Sequence, residues 1–215
     1  MKFTRIILAG VTIIASTLFS LNVSAHALWL EDNAGVKLYF GEYNENLREL
    51  SPGRLDSIID PVATVIDNAG NAKPASPTRG SGYFSIPEGG AAVLVQALKQ
   101  PIREPQGEIP APTLKRYLYA RIGKGGSLPL DIESSGNLLR LTFLGKPVPK
   151  AEIIVIAPNG WEKHVNTDER GEAPLSLLDA GLYVVEAKYE FKKPGEFEGK
   201  AYTVESHKVT FSFYK

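Results

Sequence analysis

The chain has 215 residues, with 24 Lys plus Arg, 24 Asp plus Glu, three histidines and no cysteine. Balanced charge without a basic block argues against nucleic acid as a partner, and the absence of cysteine excludes disulfides, thiolate metal sites and thiol nucleophiles. Any transition-metal site must therefore draw on histidine, carboxylate, Met or a terminal amine.

Lys2 and Arg5 precede an apolar run from Ile6 to Leu21, and Val23-Ser24-Ala25 supplies small residues before a scissile bond. This is the pattern of a secretory signal peptide over residues 1–25, and the run is short for a membrane span. The expectation is a periplasmic protein with no transmembrane segment after cleavage. Cleavage after Ala25 makes His26 the amino terminus, whereas Ala25-His26-Ala27 also satisfies the small-x-small rule and a cut after Ala27 would remove it. The mature chain then carries 22 basic and 24 acidic side chains.

Gly and Pro punctuate short β-branched and aromatic runs, which predicts an all-β protein with almost no helix. A first hairpin is expected from 27–31 and 36–40, with Val36, Leu38 and Phe40 alternating toward a core. Strands over 61–67, 82–86 and 91–98 complete an N-terminal sandwich-like domain over residues 26–100. Four prolines between Pro101 and Pro112 mark a stiff linker. With the extended segment 116–122, this linker region covers 101–133.

A second sandwich, immunoglobulin- or transthyretin-like, is predicted over 134–215. Its strands are expected at 139–143, 151–157, 161–166, 172–177, 181–189 and 202–214, with turns at Pro158-Asn159-Gly160 and Asp168-Glu169-Arg170-Gly171. Lys192-Lys193, beside Pro194 and Gly195, reads as a solvated hairpin tip.

The stretches Gly145-Lys146-Pro147-Val148-Pro149-Lys150-Ala151, Thr167-Asp168-Glu169-Arg170-Gly171 and Ala180-Gly181-Leu182-Tyr183 resemble the carboxypeptidase regulatory-like sandwich domains. The whole-chain order is more specific: a leader ending at His26, then Ala27-Leu28-Trp29-Leu30-Glu31, a mid-chain Arg116-Tyr117-Leu118-Tyr119-Ala120, and a last strand opening Glu205-Ser206-His207. That order resembles a bacterial exported family of unknown function whose members are commonly labelled periplasmic components of nickel or cobalt uptake. The resemblance implies binding of Ni²⁺ or Co²⁺ and an envelope transporter or outer-membrane receptor as partner. Relatives of this kind typically carry additional histidines in the first domain, and here only His26 and His207 align with the motifs.

A histidine at a new amino terminus offers amine and imidazole together, a bidentate chelate that also suits Cu²⁺ in nitrogen-rich geometry. His207 shares parity with Val209, Phe211 and Phe213, so its ring is expected to face inward as a core residue or a second ligand. His164 has the opposite parity to Trp161 and Val165 and is expected at the surface. Glu31, Glu42, Asp56 and Glu205 are candidate oxygen ligands or partners that fix a histidine tautomer. Trp29, Tyr117 and Tyr119 are candidates for a binding surface, with core packing as the alternative.

No Gly-x-Ser-x-Gly elbow, phosphate loop or metalloprotease helix is present, so the chain is not expected to be an enzyme. A copper oxidase built on His26 is the one enzymatic alternative. A metal-free adaptor that binds a glycan or protein of the cell envelope is the competing reading.

Overall fold

The computed structural model describes residues 26–87, 89–105 and 111–215. The expected signal peptide and the middle of the Pro-rich segment lie outside the described residues. In chain order the strands are β1 (Ala27–Asp32), β2 (Val36–Glu42), β3 (Leu47–Arg48), β4 (Val62–Ile66), β5 (Ala72–Ala75), β6 (Thr78–Arg79), β7 (Phe84–Ile86), β8 (Ala92–Ala97) and β9 (Leu114–Gly123). They continue as β10 (Leu130–Ser135), β11 (Leu138–Phe143), β12 (Lys146–Pro147), β13 (Glu152–Ile156), β14 (Glu162–Asn166), β15 (Glu172–Pro174), β16 (Leu182–Phe191), β17 (Gly195–Phe197), β18 (Lys200–Tyr202) and β19 (Val204–Tyr214). One 3-10 turn at Arg54–Ser57 is the helical element among the described residues. The all-β class is as expected.

Eight of these strands form one sheet in the order β14-β13-β16-β19-β9-β8-β4-β5. This departs from two sandwiches joined by a linker. Residues 114–123, expected within the linker region, are β9, which pairs antiparallel with β8 on one side and parallel with β19 on the other. Burial explains the pairing, because β9 reads Leu118-Tyr119-Ala120-Arg121 with all four side chains inside, so neither face or edge is left for solvent.

The two halves repeat one plan. In the first, β1 pairs β2, β2 pairs β7, β4 pairs β5 and β8, and β8 pairs β9. In the second, β10 pairs β11, β11 pairs β15, β13 pairs β14 and β16, and β16 pairs β19. Because β9 and β19 are parallel while the two halves bury opposite faces of the shared sheet, the halves are related by an approximate twofold along the strand direction. One core holds Leu28, Leu30, Leu38, Val93, Val95, Leu118 and Ala120. The other holds Leu94, Tyr119, Leu130, Ile132, Leu141, Val185, Val209 and Phe211.

Turn chemistry sets the hairpins. Ala157 N–H donates to Trp161 O at 2.8 Å and Gly160 has φ +83°, while a Cβ there would lie 2.5 Å from Asn44 O, so only glycine fits. Gly123 ends β9 with φ +81°, where a Cβ would meet Ala91 O at 2.1 Å. Across the halves, Thr210 Oγ1 donates to Leu28 O at 2.6 Å and Leu30 N–H donates to Ser212 Oγ at 3.3 Å, which seats the free edge of β1 on β19.

Candidate functional site

His26 stands one residue before β1 and packs its ring on Phe40 of β2, with centroids 5.3 Å apart. Its Nε2 lies 2.5 Å from Glu49 Oε1 and its Nδ1 lies 3.3 Å from Glu42 Oε1. Glu42 ends β2, and Glu49 follows β3, whose pairing with Gly41 and Glu42 folds the chain back toward His26. Glu49 N–H also donates to Phe40 O at 2.8 Å, fixing that return. The three side chains are sheltered, at 13% exposure for His26, 18% for Glu42 and 15% for Glu49. The more exposed Arg54 places Nη1 3.7 Å from Glu49 Oε1 on the solvent side.

The two carboxylates approach opposite ring nitrogens and therefore do not converge on one point. Among the described residues no group of three or more His, Asp or Glu side chains is arranged to hold a metal ion. Glu49 Oε1 is the nearer carboxylate, on Nε2, and Arg54 Nη1 lies 3.2 Å from the same nitrogen, while Glu42 faces Nδ1. Nδ1 is also the nitrogen that, with the α-amine of a terminal histidine, closes a six-membered chelate.

His207 is elsewhere. Its ring is 5% exposed and stacks on Tyr117 and Tyr119 at 4.9 and 5.9 Å, with Phe143 edge-on at 4.8 Å. Nδ1 is hydrogen-bonded to Tyr119 Oη at 3.0 Å, while Nε2 faces Glu205 Oε2 at 3.4 Å without a hydrogen bond. Burial pushes this imidazole below the usual histidine range, against the opposing pull of Glu205. The inward parity read for His207 is what the fold shows. The even-numbered Thr210 and Ser212 of β19 meet β1, whereas His207 points to the opposite face, so the central sheet stands between His26 and His207 and they do not share an ion.

The remaining candidates have structural partners. His164 is half exposed at the edge strand β14, 3.0 Å from Glu152 and 3.3 Å from Glu162, and the Glu152 hydrogen bond raises its pKa. Glu31 accepts from Trp29 Nε1 at 2.9 Å and from Arg48 Nη2 at 2.8 Å. Asp56 accepts from Ser51 Oγ and Gly53 N–H and pairs with Arg79, so it is committed to the 3-10 turn. Glu205 is buried against Lys193 Nζ at 3.2 Å and Tyr202 Oη at 3.3 Å. Lys193, read as part of a solvated tip, thus ties the β17–β18 hairpin region to β19.

Trp29 and Tyr119 are fully enclosed and Tyr117 is partly so, which removes them as an exposed stacking surface. Trp29 instead packs on Leu182 and Val184 of β16 and stacks on Tyr39 at 5.4 Å. Glu49 was missed because its link to His26 runs through the β2–β3 return, for which a two-residue strand leaves no periodicity. No family model matches the chain and no curated protein matches it, so the site rests on its own geometry.

Proposed function

We propose that the protein is a periplasmic binder of a divalent transition metal, with His26 as its anchoring ligand and a role in capturing or delivering nickel or cobalt at an envelope uptake system. The observation that carries this reading is the His26 ring held between Glu49 on Nε2 and Glu42 on Nδ1. A carboxylate on the non-ligating nitrogen is the usual support of a metal-bound histidine, because it fixes the tautomer and raises ligand basicity. Release of the amine by cleavage after Ala25 supplies the second nitrogen, and Glu42 offers an oxygen on the same side. The residues present therefore fit a small N,O-coordinated cation once the terminus is free. Nitrogen donors favour copper in the divalent series, so preference for nickel or cobalt would come from the carboxylate and from availability. The bound ion is cargo in this reading, and the protein is a carrier rather than an enzyme.

Native mass spectrometry of the exported protein, with Ni²⁺, Co²⁺ and Cu²⁺ offered in turn, tests it. The expected result is a chain beginning at His26 that retains one ion, and a His26→Ala variant that retains none. A chain beginning at Leu28, or equal retention by the variant, overturns it.

A further inference from the structure

A second candidate site lies where the end of β9 meets β10 and β11, apart from the His26 site. The end of β9, the strands β10, β11 and β15, and Phe211 of β19 enclose a cleft of about 420 Å³, within the range that small ligands occupy. Two of the ion pairs around it are closed on themselves. Arg121 Nη1 donates to both oxygens of Asp131 at 2.7 and 2.8 Å, and Arg140 Nη2 meets Glu172 Oε1 at 2.5 Å.

What remains is one charge of each sign and one orphan donor. Lys124 is exposed at the cleft and has no ion-pair partner among the described residues. Glu133, 57% exposed, lies 3.6 Å from the already committed Arg121 and stands opposite Arg140 in the β10–β11 register. Arg121 is 1% exposed, its Nη2 donates to Gly125 O at 3.0 Å, and its Nε is buried with no partner at all. An enclosed N–H without an acceptor costs about 1–3 kcal/mol. Leu138, 45% exposed, and Phe211 give the same cleft an apolar wall.

We infer that this cleft binds a small zwitterion with an apolar body, a free amino acid, whose carboxylate meets Lys124 and the Arg121 side and whose ammonium meets Glu133. Opposite charges on these two exposed side chains at one cleft favour a ligand carrying both signs. The inference is independent of the metal reading, since it shares no residue with the His26 site.

Three probes with one body separate the contributions: phenylalanine carries both charges, 3-phenylpropanoate only the negative one and 2-phenylethylamine only the positive one. In calorimetric titrations of the full chain, phenylalanine is expected to bind saturably and at least tenfold more tightly than either single-charge analogue. Lys124→Gln should weaken phenylalanine about tenfold without changing 2-phenylethylamine, and Glu133→Gln should weaken it without changing 3-phenylpropanoate. Unchanged thermal melting of both exposed variants keeps the comparison clean. Absence of saturable phenylalanine binding, or equal affinity for 3-phenylpropanoate, or indifference to Lys124→Gln, overturns the inference.

Discussion

The guanidinium of Arg121 grips both carboxylate oxygens of Asp131 at the seam between the two halves, Arg121 coming from the last strand of one and Asp131 from the first strand of the other. Asp131 also accepts Leu128 N–H at 3.1 Å, so both of its oxygens are engaged. Removing Arg121 strands a buried carboxylate. Arg121→Met should cost about 3–5 kcal/mol, and Arg121→Met combined with Asp131→Leu should recover most of it. Urea unfolding midpoints distinguish the cases, and a single-variant cost below about 1 kcal/mol would mean that the pair does not hold the seam.

In the proposed carrier, Glu49 sits on the His26 nitrogen opposite the one that would bind the metal. Glu49→Gln should therefore lower metal affinity about 10–100-fold while leaving one bound ion at saturation, whereas His26→Ala should abolish it. Competition titration against a chelator of known strength measures the difference. An unchanged affinity in Glu49→Gln would show that its hydrogen bond does not tune the ring.

His207 should give the fold an acid limb. Its folded pKa is depressed by burial among Tyr117, Tyr119 and Phe143, with Glu205 and, beyond it, Lys193 the charged neighbours. The unfolded chain therefore binds the proton more readily, so stability is full above the ordinary histidine value of about 6.5 and is lost as pH falls below it. Thermal melting between pH 8 and pH 5 should show this decline in the natural protein and a flatter course in His207→Gln. Parallel curves would place the acid sensitivity elsewhere.

Lys115 is the alkaline counterpart. Its Nζ is buried, donates to Leu98 O at 2.7 Å and Gln100 O at 2.5 Å, and lies 3.4 Å over the Phe197 ring. Burial lowers its pKa to about 8. Between that value and the unfolded value of about 10.4 the unfolded chain holds the proton and the folded chain does not, so this residue adds stability as pH rises through that window. Lys115→Met should erase that rise and, by leaving two carbonyls unpaired, cost about 1–3 kcal/mol at pH 7. Denaturant titrations at pH 7 and pH 10 read both effects.

Much of the fold was legible wherever alternation and turn chemistry agreed. The first hairpin pairs Asp32 with Val36, and Val36, Leu38 and Phe40 are buried. His207 points inward as its parity with Val209 and Phe211 requires. The shared sheet was not legible, because parallel pairing of β9 with β19 is decided by two distant segments and leaves no local mark in either. A trace of the repeat does exist: Val65-Ile66-Asp67-Asn68-Ala69-Gly70 and Val155-Ile156-Ala157-Pro158-Asn159-Gly160 occupy equivalent turns. At the candidate site His26 was singled out from its place after the expected leader, but Glu49 depends on a chain return through two-residue β3, and the cleft depends on how β9 meets β10. Trp29 and Tyr119 show the limit of residue type as a guide, since large aromatics serve cores and surfaces alike.

The β9–β19 seam also orders events in time. Leu114 faces Val204, 90 positions later, so β9 waits with an open edge until the last strand of the chain has been made and delivered. Closing so long a loop is slow, and an unpaired, largely apolar edge is a template for the wrong neighbour meanwhile. Closure of the central sheet is therefore governed by β19: the first core contains no β19 side chain, yet β9 keeps an open edge until that strand docks.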